Sequence, residues 1–188
     1  MKLNKIKRLC LESKRFNIID STDGVQWFTD NRSMWLCVGI VIERGALPEL
    51  FGLNSKQCEK CLFLGEKRAG EEYGIAMAET EPMLDYMGDV WEFEQRLMAL
   101  RGEDGMLYVP RAFADACHIE RDTTFTVRTL PDAEGEYSIP MVAVYNGMIC
   151  EALLKPIEAS WAKCVGERLA KLGEIPPYIL DKKLDAAG

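Results

Sequence analysis

The stretch 139–157 limits the fold more than any other part of the chain. Two apolar runs, 141–145 and 148–154, are joined by Asn146-Gly147, a pair that tolerates the positive φ angles of a type I′ turn. With those two residues in the turn, Tyr145 faces Met148, Ala143 faces Cys150 and Met141 faces Ala152, while Val142, Val144, Ile149 and Glu151 point to the other face. One face is then dry and the other carries a single carboxylate. Such a hairpin needs further strands beside it and a layer over it. It belongs to a core, and it carries no catalytic side chain.

A chain of 188 residues, 48% of them apolar, is long enough to bury that core as one domain without staples. Seven cysteines, an odd number, follow an N-terminus too charged for a signal peptide, so reduced thiols and a cytoplasmic location are expected. The longest apolar run, 34–42, has nine residues. A membrane span needs roughly 18 or more, so no membrane partner is expected. Charge is unevenly placed: residues 1–15 hold six cations against Glu12, a net +5, whereas the whole chain carries −7 and the remainder therefore −12.

Met1-Lys2-Leu3 reads as a short strand and Asn4 as the N-cap of a helix reaching about Lys14, with Ile6, Leu9, Cys10 and Ser13 on one face. Segments 15–20, 25–29 and 33–42 read as a three-stranded meander, the third central because both its faces are apolar. Residues 47–63 read as short helical turns, with Pro48 in a first turn and Asn54 or Ser55 as a cap. The Gly- and Glu-rich segment 65–81 reads as a mobile surface connection, and 82–87 and 90–93 as a second hairpin about Gly88-Asp89. Residues 95–100 fit strand or helix. A turn at 102–105, a strand 106–109, a helix opened by Pro110 and ending at Cys117 or His118, and a strand 123–130 lead into the central hairpin. Pro156 closes that hairpin, and 159–172 reads as a last helix with Trp161, Cys164, Val165, Arg168, Leu169 and Leu172 on its core face.

The order strand, helix, strand, strand, strand thus occurs over 1–42 and again over 106–155. The expected fold class is α+β, built from tandem β-α-β-β-β units with a C-terminal helix, in a single domain with pseudo-repeat halves of about 1–64 and 82–157. A domain of the DNA sliding clamp family is built by such a duplication, and the chain resembles that family in residues as well. Met1-Lys2-Leu3-Asn4 leading into a Leu-bearing helix is similar to a clamp N-terminus. Tyr145-Asn146-Gly147 followed by Ala152-Leu153-Leu154-Lys155-Pro156 is similar to a clamp's closing hairpin. The chain also resembles short proteins encoded in prophages of Gram-positive bacteria. The resemblance implies a clamp-like domain that acts without catalysis, sets its helices against the phosphates of duplex DNA, and holds replication proteins in a surface pocket. The second candidate helix departs from this pattern, with Arg111 as its only base and Asp115 beside it.

Lys5, Lys7, Arg8, Lys14 and Arg15 are accordingly the candidate DNA contacts, although the same cations fit an ordinary solvated helix. In the tail, Tyr178, Ile179 and Leu180 lie beyond a Pro-Pro break and are candidates for binding a partner or for folding back on their own domain. Cys58-x-x-Cys61 has the spacing of half a zinc site, with Cys117-His118 as a candidate second half, and the alternative function is a small zinc-binding protein or enzyme using Cys58 and Cys61. The same spacing marks the buried face of a helix. No nucleophile elbow accompanies His118, the sole histidine, and Gly102-x-x-Gly105 lacks the Lys-Ser/Thr of a P-loop. Acidic clusters at Glu71-Glu72, Glu79/Glu81 and Asp89/Glu92/Glu94 fit solvated faces better than a Mg²⁺ site. The expectation is a non-enzymatic protein, without cofactor, that binds duplex DNA, replication proteins or further copies of itself.

Overall fold

The computed structural model describes residues 2–157 except 22, 23, 38, 40, 93 and 132–137. The helix expected over 159–172 and the tail residues Tyr178, Ile179 and Leu180 lie outside the described residues.

The molecule is an α+β protein with few helices and one ten-stranded mixed sheet. Helix α1 (Leu3–Ser13) leads into strands β1 (Arg15–Ser21), β2 (Gln26–Thr29) and β3 (Ser33–Cys37). Two single-turn helices follow, α2 (Leu47–Leu50) and α3 (Ser55–Cys58), and then β4 (Leu62–Arg68). Strands β5 (Met83–Glu92), β6 (Gln95–Gly102) and β7 (Gly105–Pro110) precede the short helix α4 (Arg111–Ala114). Strands β8 (Thr124–Pro131), β9 (Ser138–Asn146) and β10 (Ile149–Leu154) complete the sheet. Its order is β4-β1-β2-β3-β10-β9-β8-β5-β6-β7. Only β1 and β4 run parallel; the other pairs are antiparallel.

Alternation along the strands sorts the core into two layers. On one side Phe16, Ile18, Phe28, Trp35, Val142, Val144, Ala152 and Leu154 meet Ile6, Leu9 and Cys10 of α1 and Phe113 and Ala114 of α4. Phe51, just beyond α2, packs there with its ring 5.1 Å from that of Phe16 and 5.4 Å from that of Phe28. On the other side Ile19, Trp27, Met34, Leu36, Met141, Ala143, Tyr145 and Leu153 form a second layer with Tyr73.

That second layer is covered by the segment between β4 and β5. Residues 65–81, expected as a mobile surface connection, supply the end of β4 and then a strap anchored mainly through its carbonyls. The Trp27 indole N–H donates to Tyr73 O (2.8 Å), the Cys150 amide to Ile75 O (2.8 Å), and the Arg128 guanidinium to Gly74 O and Ala76 O (both 2.6 Å). Glu81 closes the strap: its carboxylate accepts from Arg128 Nε (2.8 Å), from the Tyr145 hydroxyl (2.8 Å) and from the Thr126 hydroxyl. Burial alone raises the Glu81 pKa, but the hydrogen bonds from Thr126, Tyr145 and Arg128 outweigh it and hold the group below the usual glutamate value.

Several local expectations are corrected. The central turn is Gly147-Met148, because Asn146 pairs with Ile149 and Cys150 with Tyr145. Gly147 alone takes positive φ (+61°), the sign pattern of a type II′ turn rather than type I′. A bulge between Cys150 and Ala152 then turns Cys150 and Leu153 to the strap side and Ala152 and Leu154 to the helix side, so the expected facing of Ala143 with Cys150 and of Met141 with Ala152 does not occur. Lys2 is not in a strand; its amide donates to Ala116 O (2.8 Å) at the end of the α4 region, and the helix begins at Leu3 with no side-chain cap from Asn4. The strand from Ser33 ends at Cys37 instead of continuing to Ile42, where the Gln26 side chain takes over the Ile42 amide (2.8 Å) and carbonyl (3.0 Å). The expected hairpin about Gly88-Asp89 does not form. Residues 83–92 make one strand with a bulge at Met87, just before Gly88 (φ +113°), and the hairpin partner is 95–102, which settles that segment as strand.

Gly147→Val places a β-branched residue at φ +61° with no atom within 4 Å of its Cβ, so the cost is conformational, about 1–3 kcal/mol in a denaturant titration. Glu81→Ala strands a buried guanidinium and should cost about 3–5 kcal/mol. Because the Glu81 pKa is lowered, its contribution is complete above the ordinary glutamate pKa and is lost as pH falls through the lowered value. The wild type should therefore lose stability on acidification below about pH 4, and Glu81→Gln should show a shallower loss in the same pH melts.

Candidate nucleic-acid interface

Helix α1 lies with Ile6, Leu9 and Cys10 in the core, and this fixes where its cations emerge. Lys5 and Arg8 rise on the flank facing α4. Lys7 rises on the opposite flank, where its ammonium donates to Gly52 O (3.0 Å) just after α2. Lys14 is the C-cap in the left-handed region (φ 57°), and its amide bonds back to Leu11 O (3.3 Å). A cation there lies at the negative end of the helix. Arg15 is exposed at the start of β1, and neither Lys14 nor Arg15 forms an ion pair with a described residue. The structure therefore brings Lys5 and Arg8 together, sets Lys7 apart toward α2, and puts Lys14 and Arg15 at the far end of the helix.

A chain of ion pairs continues from α1 across α4 to the β5–β6 hairpin. Lys5 Nζ lies 3.4 Å from Asp115 Oδ2, Arg111 Nε 3.0 Å from Asp115 Oδ1, Arg111 Nη1 3.3 Å from Asp89 Oδ1, and Arg96 Nη2 2.6 Å from Asp89 Oδ2. The Tyr86 hydroxyl also donates to Asp89 Oδ1 (2.8 Å). Three cations share two carboxylates, so the row keeps a positive excess. Burial disfavours ionised Asp115, yet the Arg111 hydrogen bond and the Lys5 and Arg111 charges hold its pKa below the usual aspartate value. Burial lowers the Arg111 pKa, but its hydrogen bond to Asp115 and the charges of Asp89 and Asp115 outweigh this and raise it. Among the described residues Arg8 pairs with Glu12 of its own helix (3.2 Å), both side chains more than half exposed.

Asp89, Arg96 and Trp91 were not singled out as site residues from the sequence. Trp91 stands 68% exposed on β5 directly opposite Arg96 on β6, and it borders a cleft of about 360 Å³ whose other walls are Lys5, Arg8 and Leu9 of α1 and Arg111 of α4. The available signal was the alternation of Trp91 with Glu92. It showed a strand with one open face but could not say that α1 would lie across from it.

The thiols are placed differently. Cys58 ends α3 and Cys61 follows it, both half-buried, whereas Cys117 is buried under the helix layer with burial pushing its pKa up to about 12. Among the described residues no three His, Cys, Asp or Glu side chains are grouped to hold a metal ion, so neither Cys117 nor His118 completes a site with Cys58 and Cys61. Of the acidic clusters, Glu81 is engaged by Arg128 and Asp89 by Arg96 and Arg111.

Asp89→Ala removes the ion-pair partner of Arg96, one of the two partners of Arg111 and the acceptor of the exposed Tyr86 hydroxyl, and should cost about 1–3 kcal/mol in thermal melts. Glu12→Ala, at an exposed pair, should change stability by no more than about 0.5 kcal/mol. Comparison of the chain with protein-family models, with curated proteins and with solved structures finds no match.

Proposed function

We propose that the protein is a non-catalytic, clamp-like binding protein of phage or mobile-element type whose α1/α4 face engages the phosphate backbone of duplex DNA. The observation that carries this reading is the placement of the two helices. Each precedes an antiparallel three-stranded meander, the meanders meet in the order β1-β2-β3-β10-β9-β8, and α1 and α4 lie over the same side of that sheet. Such an order agrees with a repeat of one helix and three antiparallel strands, in which only the late half has the leading strand, β7, of the expected β-α-β-β-β plan. It gives the chain one helix-bearing face, and that face holds the cationic first segment. Arg8 and Lys14 are its exposed charges, Lys5 is shared with Asp115, Lys7 borders it at α2, and Arg15, next to inward Phe16 on β1, turns to the other side of the sheet.

The remainder of the chain is acidic, and a monomer therefore repels DNA over a Debye length of about 10 Å at 0.1 M salt. Self-association that brings several α1 helices to one side would raise the apparent affinity. Edge strand β4 is paired only to β1 among the described strands and leaves Leu62 half exposed, which favours such contacts between copies. Replication proteins are the further partners this reading implies.

Binding to duplex DNA should be weak, independent of sequence and steeply lost with salt. The log–log slope should be near −0.9 per phosphate neutralised, or about −3 to −5 for four or five contacts. Replacing Arg8 and Lys14 together with Gln should weaken binding steeply in an anisotropy titration while costing no more than about 1 kcal/mol in the thermal melt, because both side chains are exposed and only the Arg8–Glu12 pair and the charge at the helix C-terminus are lost. No affinity at about 20 mM salt, with light scattering reporting a monomer, would remove this function.

A further inference from the structure

The cleft between α1, α4 and the tip of the β5–β6 hairpin combines three features that a duplex phosphate backbone does not require. Trp91 presents a large open aromatic face at 68% exposure, an arrangement in which water gains nothing and a stacking partner gains much. Arg96 stands opposite it in register, and Asp89 holds the Arg96 guanidinium in place at 2.6 Å. Lys5, Arg8 and Arg111 face Trp91 across the cleft, and Gln95 adds an amide able both to donate and to accept at a base edge. The carboxylates on the cleft wall, Asp115 and Glu94, together with Asp89 and Glu12, which pair with Arg96, Arg111 and Arg8, match its four cations in number, so a phosphate is taken up by exchange with partly exposed ion pairs. An aromatic platform beside phosphate-seeking cations is how a strand with unstacked bases is gripped, whereas bases inside a duplex cannot reach the indole face.

We infer that this cleft binds single-stranded nucleic acid, with one base stacked on Trp91 and the adjoining phosphates on Arg96, Arg8 and Lys5. The inference rests on the reading that the α1/α4 face engages nucleic acid, and it adds that the strand at the hairpin end is unpaired. Four cationic side chains argue for a phosphate-bearing ligand over an apolar protein segment here, because an apolar segment would bury them away from water without supplying an acceptor. Occupancy by a protein is an outcome that the test below would expose.

The test uses the full chain with three fluorescent probes of equal length: an oligothymidylate, an abasic strand that keeps the phosphates but lacks bases, and a duplex. The oligothymidylate should bind more tightly than the abasic strand and quench tryptophan fluorescence. Trp91→Ala should weaken oligothymidylate binding about 5- to 100-fold, remove the quenching, and leave abasic-strand affinity and the thermal melt unchanged. Trp91→Phe should keep most of the affinity. Equal affinity for oligothymidylate and abasic strand, or an unaffected Trp91→Ala variant, overturns the inference while duplex binding still upholds the general function. Loss of the Trp91 effect together with capture of a protein at the cleft also overturns it. Absence of binding to all three probes overturns both.

Discussion

Three residue pairs between β3 and β10, Ser33 with Leu154, Met34 with Leu153 and Trp35 with Ala152, join the early and late meanders into one sheet. The seam works because a small residue stands opposite a large one. Ala152 leaves room for the fully buried Trp35 ring, whose indole N–H reaches Phe113 O (3.4 Å) and so ties the seam to the α4 region. Met34 and Leu153 fall on the opposite side under the strap. Without this pairing the meanders would be separate ribbons, each too small to cover its own apolar face. With it, one side of the sheet takes the helices and the other takes the strap that Glu81 and Arg128 hold down.

The meanders, the first helix and the existence of the central hairpin were legible because each is written in local pattern. Ile6, Leu9 and Cys10 recur at helical spacing, and β3 has apolar residues on both faces because the helix layer covers one face and the strap layer the other. The parts that were not legible depend on long-range pairing. Strand β4 exists only by lying parallel to β1, and its sequence, with Gly65, Glu66 and Lys67, carries little strand preference of its own. The strap is held by its carbonyls, which leave no trace in side-chain composition. The hairpin turn was displaced by one residue because Asn-Gly suits a type I′ turn, while the bulge at Cys150 rewards the placement that buries Cys150, Ala152, Leu153 and Leu154 together.

The candidate site was half legible for the same reason. The cationic count of residues 1–15 is visible in the sequence, but the use made of each charge is not. Lys5 is matched to Asp115 and Lys7 to Gly52 O, so the cations left outward differ from the cluster that a helical wheel suggests. Arg96, Arg111 and Trp91 join the face only because the β5–β6 hairpin and α4 are carried next to α1. The zinc reading of Cys58 and Cys61 fails to gather a third ligand among the described residues, since Cys117 is committed to the core.

One face of the molecule, the one bearing α1, α4 and the hairpin tip, is proposed to meet nucleic acid. Hydrogen–deuterium exchange with and without DNA reads this for every segment in one experiment. Slower exchange is expected to be confined to α1, the 111–117 region and 89–97, with the strap at 70–82 unchanged. Protection on the strap side, or DNA binding that leaves α1 and the hairpin tip unaltered, would contradict it.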